Sequence, residues 1–289
     1  MFTQGWTRRI LTLLFALCLL PLCAHAEQSD EQIAAELGKL AWQKGPTEGR
    51  ISDKATIKVP EGYVFLDSAN TRRFLELNGN PPSDGNFMFA PKSLNWFAVF
   101  SFESTGYVKD DEKIDADALL KQLKESDGPS NEQRKKLGMG ELYTDGWEVP
   151  PHYDDQSKRL EWGTRLRTGD NKMVINYTSR LLGRTGVMSA ILVSNPGTLA
   201  ADTAQFKTGL QNFDYVSGEK YSEYKQGDKL AEYGLAALIL GGAAAVATKK
   251  GFWAVIGGFL AAFWKLAAGV GVAAMAGIRK FFSRDKTPS

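Results

Sequence analysis

The chain has 289 residues, of which 35 are Lys or Arg and 33 are Asp or Glu, and 43% of its residues are hydrophobic. This composition is typical of folded proteins and excludes disordered and collagen-like chains. The charges are unevenly distributed, because residues 27–248 have an excess of six acids and residues 249–289 an excess of six bases. An acidic body lacks the basic face that phosphate contacts need, so we expect no nucleic-acid partner.

The N-terminal segment predicts export. Residues 1–26 have the pattern of a secretory signal peptide, with Arg8 and Arg9 before an apolar run and Ala24-His25-Ala26 as the cleavage pattern. The alternative is an uncleaved anchor, although the apolar run is shorter than the roughly 20 residues that span a bilayer. Both cysteines lie in this segment. The exported chain therefore has none, which excludes disulfides, thiolate catalysis and cysteine-bound zinc.

Residues 27–215 alternate between helix and strand signals and are predicted to form one periplasmic domain. The helix signals are an amphipathic segment at 31–42, a segment from Ser68 that ends before Gly79, a segment capped by Asp115, and one that begins at Asn195-Pro196. The strand signals are apolar, alternating or aromatic segments at 55–59, 63–66, 95–102, 159–167, 173–182 and 187–193.

The last three predicted strands are joined by short turns, so neighbouring strands should be antiparallel. The first of them alternates. One face carries Leu160, Trp162, Thr164 and Leu166, and the other carries Arg159, Glu161, Arg165 and Arg167. Strands joined by hairpins, with separate helices, predict an α+β fold in which a mainly antiparallel sheet packs with helices.

The C-terminal part of the chain predicts a membrane anchor. Residues 216–232 are polar and are predicted to be a linker, residues 233–280 are apolar and form one or two transmembrane helices, and residues 281–289 are a basic tail. The favoured topology is a hairpin that turns at Lys249-Lys250, and the alternative is a single span within 251–278. The expected partner is thus the lipid bilayer of a bacterial inner membrane.

An acidic segment is the first candidate site. Its carboxylates could ligate calcium, since oxygen ligands at alternate positions suit that ion, and the candidate ligands are Asp110, Asp111, Asp115 and Asp117. The segment lacks the glycine and the final glutamate of a calcium-binding loop. The alternative is a solvated loop whose acids favour the N-terminus of the following helix. We expect neither a bound metal nor a cofactor.

Two further sets of charged residues are candidate sites, one for general-base catalysis and one for anion binding. His152 lies next to Asp154 and Asp155, and a histidine with a carboxylate partner can act as a general base; the alternative is a structural loop histidine. The second group could form an anion-binding face or an exposed strand face with ion pairs, and it comprises Arg159, Arg165, Arg167, Arg180 and Arg184. Phosphate-binding glycine loops and nucleophile elbows are absent from the sequence.

Several motifs in order resemble one family of bacterial membrane-anchored proteins, the domain of unknown function 2167 family. These motifs are 45–49, 77–82, the run 96–120, 146–154 and 176–186, and the likeness spans about 38–280. The resemblance implies a periplasmic domain with a C-terminal anchor and no established activity. The leading hypothesis is a non-enzymatic envelope protein that binds a protein partner or a ligand. The alternative is a periplasmic hydrolase that uses His152 with Asp154 or Asp155.

Overall fold

Two antiparallel sheets organise the part of the chain that the computed structural model describes, residues 30–78, 80, 82–136 and 140–241. The strands, in chain order, are β1 (Gln43–Lys44), β2 (Thr47–Ile51), β3 (Ala55–Val59), β4 (Tyr63–Leu66), β5 (Asn86–Pro91), β6 (Trp96–Glu103), β7 (Leu142–Asp154), β8 (Arg159–Thr168), β9 (Met173–Leu182), β10 (Val187–Ser194) and β11 (Phe213–Tyr215). The large sheet has the order β1-β4-β5-β6-β10-β9-β8-β7, and the small one β11-β3-β2.

Five α-helices accompany these sheets in the described residues. They are α1 (Asp30–Gly38), α2 (Ser68–Leu77), α3 (Ala116–Lys136), α4 (Leu199–Leu210) and α5 (Leu235–Ile239), and a single 3₁₀ turn covers Tyr221–Glu223. The predicted α+β architecture with a mainly antiparallel sheet is confirmed. The predicted antiparallel pairing of β8, β9 and β10 is also confirmed.

Both faces of the large sheet are covered, so the described residues form three layers. One face packs on the small sheet and α4, and its core includes Phe65, Phe89, Phe100 and Phe206. On the opposite face, α1 and α2 pack over β4, β5 and β6, while α3 and α5 pack over β8, β9 and β10. A strand between two apolar layers buries side chains on both of its faces. This arrangement accounts for the nearly continuous burial of β5, β9 and β10.

Two helices begin at residues other than those predicted. The N-cap of α2 is Asp67, whose carboxylate accepts the backbone N–H of Asn70 at 2.9 Å, while the Ser68 hydroxyl accepts the N–H of Gly85. The helix α4 begins at Leu199, because the Asn195 side chain closes a local turn by accepting the N–H of Gly197. The predicted cap at Asp115 is observed, with its carboxylate accepting the N–H of Ala118.

The helix α3 is longer than the sequence indicates, because it continues through Pro129 to Lys136. Two of its side chains bind the outer edge of β7. The Asp127 carboxylate accepts the backbone N–H of Thr144 at 2.7 Å, and the Asn131 side chain accepts the N–H of Leu142 at 2.8 Å. Edge strands expose N–H groups that need partners. These two bonds satisfy that need and fix α3 across the end of the sheet.

The chain after β11 stays on the domain instead of leading away from it. Leu230 forms a bridge with Tyr107, Arg184 pairs with Asp228, and Tyr221 is buried. Gly106 makes this close approach possible, since a Cβ there would lie 2.6 Å from the carbonyl oxygen of Lys229. Through these contacts, the segment 216–232, which was predicted as a linker, is part of the folded domain.

The first turn of the predicted anchor also packs on the domain. In α5, Leu235, Leu238 and Ile239 are almost fully buried and contact the core formed by β8, β9 and β10. The folded domain therefore continues past residue 233, where the predicted anchor was expected to begin. None of the helices in the described residues has the length and apolar composition needed to cross a bilayer. The predicted signal peptide, most of the predicted anchor, the basic tail and Gly79 lie outside the described residues.

Candidate ligand cavity

A cavity of about 160 Å³ lies between α3, the face of β8 and β9, and α5. Helix α3 is held at the outer edge of the sheet by Asp127 and Asn131, and α5 covers the neighbouring strands, so the space between the two helices is not filled. Part of the wall is apolar and includes Trp162, Leu166 and Leu238. The rest of the wall is polar, and it includes two buried arginines.

Arg134 is the most unusual residue of the cavity wall. It lies in the last turn of α3 and is only 1% exposed. Its Nε donates to the carbonyl oxygen of Gly140 at 2.6 Å, but Nη1 and Nη2 have no hydrogen-bond partner among the described residues. Burial lowers the pKa of Arg134, yet a guanidinium stays protonated in proteins. The cavity wall therefore carries a buried positive charge whose two terminal nitrogens can still donate.

Arg180, the second arginine of the wall, is already partly neutralised. It lies on β9 and forms a close ion pair with Glu103 at the end of β6. Its Nε is buried and has no hydrogen-bond partner in the described part of the chain. The two arginines together bring three unpaired nitrogens, all of them donors, to the boundary of one cavity. Such donors are complementary to an acceptor or an anion, since a buried donor left unpaired is costly.

Asp127 is the second carboxylate of the wall. Burial raises its pKa, and this effect outweighs the two hydrogen bonds from the backbone N–H and the hydroxyl of Thr144, which lower it. Neither Asp127 nor Glu103 forms an ion pair with Arg134. The charges of the cavity wall thus leave Arg134 without a counterion among the described residues.

Sequence analysis did not identify this cavity. Arg134 stands in a run of three basic residues at 134–136, a pattern typical of an exposed helix end. Its burial depends on the way in which α3 continues past Pro129, which the sequence does not indicate. Two signals were available in the sequence. Trp162, Thr164 and Leu166 share the predicted inner face of β8, which lines the cavity, and Arg180 was one of the candidate anion-binding residues.

The structure separates His152 from its predicted partners. Asp154 accepts hydrogen bonds from Gln156 and Ser157, and Asp155 pairs with Lys158. The carboxylate nearest to His152 is that of Glu161, with 3.5 Å between Nε2 and Oε2. The structure therefore does not pair His152 with Asp154 or Asp155, the two partners that the sequence suggested.

Glu161, which the sequence analysis placed on the exposed face of β8, is buried beneath α4. It pairs with Lys207 at 3.0 Å and accepts hydrogen bonds from Tyr177 and Ser179. Burial alone would raise the pKa of Glu161, but the hydrogen bond and charge of Lys207 more than offset it, so this pKa lies below its ordinary value. Burial raises the pKa of Tyr177 to about 12. The cluster is a satisfied ionic contact between α4 and the sheet.

The acidic candidates take separate partners. Asp110 accepts hydrogen bonds from Tyr153 and Lys158, Asp115 caps α3, and Asp111 and Asp117 are exposed. Hydrogen bonds from Lys158 and Tyr153 outweigh burial and lower the pKa of Asp110. Within the described ranges, no three His, Cys, Asp or Glu residues are grouped so that they could hold a metal ion.

The five candidate arginines do not share one face. Arg180 lies opposite Leu160 in the pairing of β8 with β9, so it is on the cavity side of the sheet. Arg159, Arg165 and Arg167 alternate with Leu160 and lie on the other side, and Arg184 pairs with Asp228 in a loop. Of the predicted anion-binding set, only Arg180 reaches the cavity.

The fold and the cavity define a class, an α+β domain with a small cavity of mixed apolar and polar lining between sheet and helices. The chain belongs to the family described as protein of unknown function (DUF2167), whose model matches residues 43–275. No curated protein matches the sequence. One similar solved structure is the solution structure of cyanobacterial PsbP (CyanoP) from Synechocystis sp. PCC 6803, at 12% identity and a TM-score of 0.33, covering 60% of this chain and 91% of that chain.

Proposed function

We propose that this protein is a non-enzymatic binding protein of the bacterial envelope, which takes up a small molecule in the cavity between α3, α5 and the large sheet. The observation that carries the proposal is the cavity itself, which is lined by unpaired donors of Arg134 and Arg180 as well as by apolar side chains. A cavity of about 150 Å³ in another protein binds benzene. The volume of about 160 Å³ here is therefore enough for a small organic ligand.

We also propose that the domain is periplasmic and is held at the inner membrane by a single span. Leu235, Leu238 and Ile239 are buried in the domain and cannot lie in lipid at the same time. Residues 242–248 are too few to cross a bilayer, which takes about 20 helical residues. The remaining apolar stretch of sufficient length is 251–278. A single span therefore fits the buried residues better than the predicted hairpin does. The bilayer is then one partner of the protein, and a further envelope protein is the second.

Filling the cavity tests the binding proposal. Thr178 is buried between Trp162 and Ile191 on neighbouring strands, and all three residues line the cavity. We expect Thr178→Phe to place a ring in this space and to abolish binding of the probes benzoate and benzamide, measured by saturation-transfer NMR on the detergent-solubilised full chain. Thr208→Phe, on the exposed face of α4, is the matched control and should leave binding unchanged. If neither probe binds the wild-type chain, or if Thr178→Phe binds both as well as wild type, the proposal is wrong.

A further inference from the structure

We infer that the ligand of the cavity is a small organic monoanion, a carboxylate on an apolar body, and that Arg134 binds its charged end. The inference rests on the proposed function, because it assigns a chemical class to the ligand of the same cavity. It starts from a requirement of the fold. A guanidinium that is 1% exposed, with two nitrogens unpaired, needs an acceptor that the described residues do not supply.

The charge of the ligand follows from the other groups on the wall. Arg180 is paired with Glu103, and the carboxylate of Asp127 also faces the cavity region. A single negative charge would neutralise Arg134. A second negative charge on the ligand would lie beside the carboxylates of Asp127 and Glu103. No cation would offset it, because Arg180 already pairs with Glu103. The wall therefore matches a monoanion better than a divalent anion.

The chemical form follows from geometry and from the apolar wall. The two free terminal nitrogens of a guanidinium form a planar fork, which matches the two oxygens of a carboxylate. The cavity wall also includes the apolar side chains of Trp162, Ile191 and Leu238. An apolar body on the carboxylate would contact these side chains. A simple inorganic anion would leave that part of the cavity unfilled.

Benzoate and benzamide separate charge from shape, because they have nearly the same size and differ in charge. We expect benzoate to bind the detergent-solubilised wild-type chain at least about tenfold more tightly than benzamide, since hydrogen bonds to charged groups are the stronger ones. Phenyl phosphate, a divalent anion of similar shape, should bind more weakly than benzoate. Dissociation constants from saturation-transfer titrations give both comparisons on the unmodified protein, without any variant that needs to fold.

The variants then assign the preference to one residue. Arg134→Met should remove the preference for benzoate, and Arg134→Lys should retain part of it as a point charge. Arg167→Met is the matched control, because Arg167 lies on the opposite face of β8 and should leave the preference unchanged. Thermal unfolding of each variant shows whether it is folded.

The outcomes distinguish this inference from the proposed function. Equal binding of benzoate and benzamide, with both abolished by Thr178→Phe, would overturn the monoanion while leaving a ligand cavity. Tighter binding of phenyl phosphate than of benzoate would overturn the single charge. A preference for benzoate that persists in a folded Arg134→Met variant would overturn the assignment to Arg134. Absence of binding by every probe would overturn the proposed function itself.

Discussion

Arg184 and Asp228 show how single residues hold the segment after β11 on the domain. The guanidinium donates two hydrogen bonds to the carboxylate, with Nε to Oδ2 at 2.6 Å and Nη2 to Oδ1 at 2.7 Å. The N–H of Lys225 donates to the same carboxylate. Hydrogen bonds from Arg184 and Lys225 lower the pKa of Asp228 to about 2. A paired planar contact of this kind is stronger than an ordinary surface ion pair.

We predict a pH-dependent effect of Asp228→Asn on stability. The folded pKa of Asp228 lies below its ordinary value of 3.8, so the pair stabilises the fold at neutral pH, and this contribution is lost as the pH falls through the folded pKa. The wild type should therefore be more stable than the variant at pH 7, and the difference should shrink between about pH 4 and pH 2. Urea unfolding followed by tryptophan fluorescence measures it.

A control for this prediction lies nearby. Lys220 and Asp214 form an exposed ion pair at 2.8 Å, and Asp214→Asn should change stability little at any pH, as is usual for exposed pairs. A pH-independent difference between wild type and Asp228→Asn would show that the hydrogen-bond geometry matters and the charge does not.

The burial of Glu161 could not be predicted from the sequence of β8 alone. Alternation along β8 correctly separated Leu160 and Trp162 from the charged residues, because the side chains of a strand alternate between its faces. Alternation also groups Glu161 with the arginines of β8, for which an exposed strand face was one of the two predicted roles. The second face is covered by α4 and the small sheet, which meet β8 from distant parts of the chain. No local pattern in β8 could indicate that cover.

At the scale of elements, α5 contributes both to a hydrophobic core and to the wall of the cavity. Its five residues close one core of the domain and also form part of the cavity wall, through Leu238, Ile239 and the adjoining Gly241. The N–H of Ala236 donates to the carboxylate of Glu112, which lies in the acidic segment before α3. The acidic segment therefore contacts the start of the C-terminal part of the chain, although it holds no metal-ligand arrangement among the described residues.

We predict that α5 contributes to the stability of the domain. Leu238 is fully buried, so Leu238→Ala should lower the free energy of unfolding by about 2–5 kcal/mol, the usual cost of a large-to-small change in a core. Leu240→Ala is the control, because Leu240 is only half-buried and should cost less. Chemical unfolding of the full chain measures both. An equal, small effect of the two changes would mean that α5 is not part of the cooperative core.

The helices also show which elements the sequence can predict. Helix caps and apolar periodicity located α1, α2, α4 and the start of α3. The end of α3 could not be located, because Gly128-Pro129 is a common helix terminator, and its continuation depends on bonds from Asp127 and Asn131 to β7. The cavity and Arg134 depend on those same bonds, which is why sequence reasoning missed the candidate site while it gave the correct class of fold.

At the scale of the whole molecule, the single-span proposal makes a prediction about orientation. Without the signal peptide the chain has no cysteine, so single cysteines introduced by Ser217→Cys, Gly251→Cys and Ser289→Cys can each be labelled alone. In intact cells, a membrane-impermeant thiol reagent should label the variants at 217 and 251 and leave the variant at 289 protected. Basic residues beside a span remain in the cytoplasm, which favours this orientation of 279–286.

Other labelling patterns have definite meanings. Labelling at 289 with protection at 251 would establish the hairpin and would require Leu235–Ile239 to leave the domain core. Protection at 217 would place the domain in the cytoplasm and overturn the periplasmic assignment. Ser217 is exposed in the folded domain, so protection there could not result from burial.

On the single-span proposal, the docking of α5 also limits how far the domain can move from the bilayer. Gly241 is the last of the described residues and lines the cavity, and on the single-span proposal nine residues separate it from the start of the span at Gly251. An extended chain advances at most about 3.6 Å per residue, so this connection reaches roughly 36 Å. On this proposal, the cavity thus lies within a few nanometres of the lipid headgroups. A connection this short suits exchange of the ligand with molecules in or on the inner membrane. It would prevent the domain from delivering a ligand across the width of the periplasm.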